Sequence, residues 1–153
     1  MNEAQLESIL KENGASYEIK RHKPVFNIHE ACLALGLKPE EEVKNLLMKD
    51  SEGFFLLIAC GNTKADFSAL SKARGGGKVS LASAEEVKQN TGVDVGSVNL
   101  FSYPIVYVDE RVLALKTLNT HPDDNSITFF IETSKALGLL KEKTIGSFCK
   151  EKT

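Results

Sequence analysis

Two apolar segments joined by a tight turn constrain this chain more than anything else in it. Val43-Lys44-Asn45-Leu46-Leu47-Met48-Lys49-Asp50 and Phe54 to Cys60 flank Ser51-Glu52-Gly53, the composition of a turn. Runs this short and this apolar suit core strands, and the turn between them makes a hairpin. Lys44 and Asn45 interrupt the first strand. A lysine inside a strand is costly unless its ammonium reaches water, a partner or a ligand. Two readings follow. Lys44 is an edge lysine that blunts aggregation, or it projects into a cleft as a fixed positive charge beside the Asn45 amide.

Around this hairpin, helices and strands alternate irregularly. Leu6, Ile9 and Leu10 are spaced for a helix over Asn2 to Asn13, stopped by Gly14. Ala15 to Arg21 alternates like a strand, and His22-Lys23-Pro24 ends it. Asn27 is placed to cap a helix carrying Ile28, Ala31, Cys32 and Leu35, closed by Gly36. Gly61 to Lys64 reads as a loop. Asp66 to Ala73 reads as a helix with Phe67 and Leu70 inward, and Lys78 to Leu81 as a short strand. Ser83 and Glu86 form a capping box that opens a helix to Asn90. Gly92 to Tyr103 reads as a shaped loop, Ile105 to Val108 as a strand, and Arg111 to Leu115 as a short helix. Lys116 to Asp124 is polar and turn-rich, Ile127 to Ile131 is a strand, and Thr133 is placed to cap a last helix from Ser134 to Leu140. Hairpins beside isolated helices, without a strict βαβ order, predict a single-domain α+β fold. Its sheet is mixed, mostly antiparallel, with flanking helices. The domain is expected to span residues 1–144, with 145–153 a polar tail or linker.

The chain has 153 residues, 42% of them apolar and 26% charged, enough for one domain with its own core. Nineteen basic against 21 acidic residues give a formal charge of -2, so no global field exists to hold long nucleic acid. Nucleic-acid contact must be local. Three widely spaced cysteines, Cys32, Cys60 and Cys149, do not make a disulfide framework and fit a reducing compartment. The first residues lack a signal-peptide core and no run is long enough to cross a bilayer. A soluble, cytoplasmic protein with no membrane partner is expected.

Several chemistries find no support. Arg74-Gly75-Gly76-Gly77-Lys78 fails the phosphate-loop pattern at Lys72 and Val79 and reads as a surface loop. His22, His29 and Cys32 have no further pair to complete a zinc site, so no metal or other cofactor is expected. No nucleophile motif occurs, and Cys60 reads as a packed thiol. Two stretches stay open. His121-Pro122-Asp123-Asp124-Asn125 is either an Asx-type turn or a cleft wall with His121 facing in. Gly92 to Val98 is a plain loop, or a set of backbone N–H groups shaped to close on a ligand.

Together these stretches resemble the YbaK/ProX family of aminoacyl-tRNA deacylases, the free-standing relatives of the prolyl-tRNA synthetase editing domain. The resemblance is carried by His22-Lys23-Pro24-Val25-Phe26, the lysine strand Val43–Asp50, Leu81-Ala82-Ser83 with Gly92–Val98, and His121 to Ser126. The last is similar to the alanyl-tRNA(Pro) deacylase branch. Val95 stands where the family loop usually has proline, and Leu100-Phe101-Ser102 where it has Pro-Phe-Gly.

The resemblance implies hydrolysis of the aminoacyl ester of mischarged tRNA in trans, Ala-tRNA(Pro) first. Such an ester is already activated, so positioning and oxyanion stabilisation suffice without a protein nucleophile. The family is thought to draw on substrate hydroxyls. The resemblance assigns Lys44, Asn45 and His121 to catalysis. It assigns His22, Phe26, Gly92, Gly96, Ser97 and Asn125 to substrate binding. The tRNA acceptor end is the implied partner, with a prolyl-tRNA synthetase or multi-synthetase complex a further one. A competing reading is a non-catalytic tRNA-acceptor or protein-binding appendage of a synthetase. A third is a small-molecule sensor using the same cleft.

Overall fold

The hairpin forms the centre of a mixed sheet. In the computed structural model, which describes residues 1–152, β2 (Val43–Asp50) pairs antiparallel with β3 (Gly53–Cys60) along its whole length. β6 (Ile105–Asp109) runs parallel to β3, and β9 (Glu142–Gly146) parallel to β6. The two-residue β5 (Ser80–Leu81) meets β2 at Met48 and Lys49 alone. A second, antiparallel sheet has the order β1 (Tyr17–Arg21), β8 (Ile127–Glu132), β7 (Thr117–Thr120). A third pairs β4 (Thr63–Ala65) with β10 (Cys149–Glu151).

Both faces of β3 are covered, which is why it reads as one continuous apolar run rather than an alternating one. Leu56, Ile58 and Cys60 face the larger core with Val43 and Leu47 of β2. Phe55, Leu57 and Ala59 face a smaller core with Met48, Leu70, Tyr107, Phe148 and Cys149. Asp50 and Arg74 close the smaller core as an ion pair, Nε to Oδ2 2.8 Å, with the guanidinium 4.4 Å above the Phe55 ring.

Among the described residues five α-helices flank the sheets. α1 (Glu3–Glu12) is held at its start by a reciprocal Asn2–Gln5 capping box, and α2 (Ile28–Leu35) by Asn27, whose side chain accepts from Glu30 N. α3 (Phe67–Arg74) is capped by Asp66, and α4 (Ala84–Thr91) by the Ser83–Glu86 box. α5 (Thr133–Gly138) follows β8 directly.

Several expectations differ from the structure, and most concern polar strands. Lys116 to Asp124 contains β7, in which Leu118 is fully buried against the core, Asn119 and Thr120 are buried as well, and Thr117 is exposed. Gly61 to Lys64 contains the start of β4, which exists because β10 returns to pair with it. The stretch from Ile145, expected as a polar tail, instead carries the end of β9 and all of β10, and buries Phe148 and Cys149; Thr153 lies outside the described residues. Phe67 is exposed rather than inward, since Leu70 alone fills that side of α3. Thr133 is the first residue of α5, not its cap, and its hydroxyl is buried without a partner.

Candidate functional site

A hollow of about 230 Å³ opens where the two larger sheets face one another. β5 covers only the far half of β2, so Val43 has no strand partner on that edge. Its N–H donates instead to Asn119 Oδ1 at 2.8 Å, a side-chain bridge between β2 and β7. The floor of the hollow comes from Glu42, Val43, Lys44 and Asn45. Asn119, Thr120 and His121 continue from β7, with Thr128 from β8 beside them. Ile28 and Ala31 of α2 form one apolar flank, and Val95, Gly96 and Val98 the other. The volume lies below the roughly 300–1,000 Å³ typical of drug-sized ligands, which suits one small group.

Lys44 and Asn45 both border the hollow, but strand alternation sends their side chains to opposite faces of β2. The Lys44 ammonium donates to the Thr63 carbonyl of β4. Burial, followed by the nearby Lys152, pulls its pKa below the ordinary lysine value. The Asn45 amide faces the 95–98 loop, with Nδ2 3.5 Å from Val98 O and Oδ1 buried without a partner.

His121 Nδ1 lies 2.9 Å from Pro122 O. A carbonyl only accepts, so Nδ1 carries a proton, and among the described residues Nε2 has no partner. Asn99, 1% exposed, holds this turn from behind by donating to His121 O at 3.0 Å.

The expected substrate-binding residues divide into lining and supporting ones. Phe26, 79% exposed, stands at the rim, and Gly96 lines the wall. His22 does not line the hollow. Its Nδ1 meets Lys23 O at 2.7 Å and its Nε2 meets Thr128 Oγ1 at 2.8 Å, so it braces Thr128 from outside. Asn125 also stands behind the wall, where Nδ2 donates to Val25 O at 3.1 Å and Val25 N returns a bond to Asn125 O. Gly92 ends α4 with φ 77°, a left-handed cap where glycine escapes the steric cost of a Cβ, and its N–H is used on Lys88 O. Ser97 N is used on Asp94 O. Neither offers a free backbone N–H to the hollow.

Sequence reading missed Glu42, Asn119, Thr120 and Thr128. Glu42 ends the acidic run 40–42, which reads as a solvated face, yet it is 8% exposed. Asn119 Nδ2 donates to its Oε2 at 2.6 Å. Burial pushes the Glu42 pKa up to about 7, partly offset by the Asn119 hydrogen bond. The close approach of Gly61 seats this corner, since a Cβ there would lie 2.9 Å from Pro39 O and 3.3 Å from Glu42 Cβ. Gly61 N donates to Glu42 O at 2.7 Å.

A small, partly apolar hollow edged by a half-buried lysine, an asparagine and a histidine can hold the small acyl group of an activated ester. Residues 22–138, which contain all of these groups, match the model of the aminoacyl-tRNA editing domain. The chain belongs to the aminoacyl-tRNA editing domain family. This is the YbaK/ProX group of deacylases, and the activity class of this editing domain is hydrolysis of aminoacyl-tRNA.

The editing domain is 27% identical to the prolyl-tRNA editing protein ProX of Acetoanaerobium sticklandii over 128 residues, 78% of each chain. It is 30% identical over 124 residues to a proline–tRNA ligase of Maridesulfovibrio salexigens. That match covers 80% of this chain but 20% of the ligase. The solved structure of the hypothetical protein APE2540 superposes with a TM-score of 0.86 at 21% identity, covering 95% of this chain and 99% of the other. A solved structure described as a candidate trans-editing enzyme for prolyl tRNA synthetase gives 0.81 at 20% identity, covering 96% of each. At these identities the superpositions speak for the fold alone.

Among the described residues no helix is long and apolar enough to cross a membrane.

Proposed function

We propose that this editing domain acts in trans on Ala-tRNA(Pro), or on tRNA bearing another small amino acid, in the cytoplasm. Water adds to the ester carbonyl, the bond to the terminal ribose oxygen breaks, and free amino acid leaves. The observation that carries this reading is the small hollow bordered at once by Lys44, Asn45, Gly96 and His121. Its apolar flanks, Ile28, Ala31, Val95 and Val98, suit a small apolar side chain such as that of alanine.

Lys44 keeps two N–H donors beyond its bond to Thr63, and with Lys152 nearby it supplies the local positive charge that a terminal phosphate needs. Asn45 orients the ester carbonyl, and His121 Nε2 holds water or a substrate hydroxyl. The exposed Phe26 ring offers a stacking surface for the terminal adenine, a contact worth roughly 1–3 kcal/mol.

Deacylation of a panel of misacylated tRNAs by wild type and Lys44→Ala tests this. Ala-tRNA(Pro) should be cleaved, and the variant should lose roughly tenfold or more in kcat/KM, mainly in KM, the scale of a lost hydrogen bond to a charged phosphate group. Equal rates would remove Lys44 from the reaction, and no turnover of any misacylated tRNA would remove the substrate assignment.

A second reading is favoured by the match to part of a proline–tRNA ligase: association with a synthetase as an appended or recruited module. Co-elution with a prolyl-tRNA synthetase supports it, and independent elution at micromolar concentration counts against it.

A further inference from the structure

The hollow is rich in acceptors and poor in donors. Glu42 is about nine-tenths buried at its floor. Among the described residues no lysine, arginine or histidine lies within ion-pair distance of it, and its one side-chain bond is the Asn119 amide on Oε2. Asn45 Oδ1 and Thr120 Oγ1, both on lining residues, are buried without a partner. His121 also lines the hollow, and among the described residues its Nε2 has no partner. The lysine that borders the hollow has its ammonium on the far face of β2, against the Thr63 carbonyl. A buried carboxylate without a cation, beside unused acceptor oxygens, is a costly arrangement unless a cationic donor arrives.

We infer that Glu42, held by Asn119, is the subsite for the α-ammonium group of the aminoacyl ester. The ammonium carries three N–H donors, enough to meet Glu42 Oε1 and two of the orphaned acceptors. The amino acid side chain then points to the flank formed by Ile28 and Ala31, and the ester carbonyl to the Asn45 and Gly96 side. This deepens the proposed function and rests on it. Asn119 acts as a positioning residue, since its Oδ1 is fixed by Val43 N and its Nδ2 thereby aims at Glu42.

The test compares alanyl-tRNA(Pro) with its deaminated α-hydroxy analogue, lactyl-tRNA(Pro), in wild type and Glu42→Gln. Each rate is taken relative to that ester's spontaneous hydrolysis. Wild type should favour the alanyl ester in kcat/KM, and Glu42→Gln should shrink that preference roughly tenfold or more, the scale of a hydrogen bond to a charged group. The loss should fall mainly in KM. A preference that survives Glu42→Gln unchanged overturns the inference, whereas a wild type inactive on both esters overturns the underlying substrate assignment instead.

A binding experiment needs no variant. L-alaninamide at pH 7.5, where Glu42 is largely ionised and the amine still mostly cationic, should shift the backbone amide signals of Val43, Thr120 and His121, and neutral lactamide should leave them in place. Equal shifts from both amides would also overturn the inference.

Discussion

Replacing Glu42 by glutamine should stabilise the protein, and by an amount that depends on pH. The Glu42 carboxyl is raised from 4.5 to about 7 by burial. A carboxyl raised in the folded state favours folding fully below its unfolded pKa, and loses that contribution as pH rises through the folded one. At roughly 1.4 kcal/mol per pH unit, the gap between 4.5 and about 7 leaves ionised Glu42 costing the fold about 3 kcal/mol above pH 7. Glutamine carries no charge, and its carbonyl oxygen still accepts from Asn119 Nδ2. The two proteins should therefore unfold alike near pH 4.5. By pH 8 Glu42→Gln should be ahead by about 3 kcal/mol, or roughly 6–12 °C in Tm for a domain of this size. Urea unfolding at half-unit pH steps measures the difference directly, and titrations shared by both proteins cancel. A stability difference that is flat across pH 5–8, or of opposite sign at pH 8, would refute the account of Glu42 as a buried, unpaired carboxylate. A residue that lowers stability where the protein works is retained for something other than folding, which agrees with a role in binding.

Three further outcomes follow from the packing. Gly61→Ala should cost roughly 1–3 kcal/mol, because the added methyl meets the Pro39 carbonyl, a backbone atom; a melting temperature equal to wild type would contradict that crowding. Arg74→Met should lower stability by roughly 3–5 kcal/mol by leaving Asp50 buried and unpaired, while kcat on the misacylated substrate holds, since neither residue borders the hollow. Phe148→Ala should cost roughly 3–5 kcal/mol in chemical denaturation, and a loss below about 0.5 kcal/mol would return residues 145–152 to the status of a linker.

Local signals in the chain carried the helices and the central hairpin. Asn27 before Ile28, Asp66 before Phe67 and Ser83 before Glu86 each satisfy helix N–H groups within a few residues, so neighbours in sequence decide where those helices begin. Val43–Asp50 and Phe54–Cys60 are apolar enough to be strands wherever they pack. Lys44, Asn45 and His121 stand out locally, as polar groups inside an apolar strand and a His-Pro turn, but only the family resemblance drew them, with Phe26, into one site; all four border the hollow.

The rest was decided by contacts between distant residues. β4 and β10 are polar strands that exist through each other, 88 positions apart at Thr63 and Glu151, and neither has a periodicity of its own. Glu42 looks like the end of a solvated acidic run until Asn119 of β7 and Gly61 close over it. Sequence spacing likewise placed Lys44 and Asn45 side by side, whereas the pleat of β2 sends one to Thr63 and the other to the Val98 loop. Burial belongs to the assembled sheets, and only once they pack does a glutamate become an unpaired charge facing a hollow.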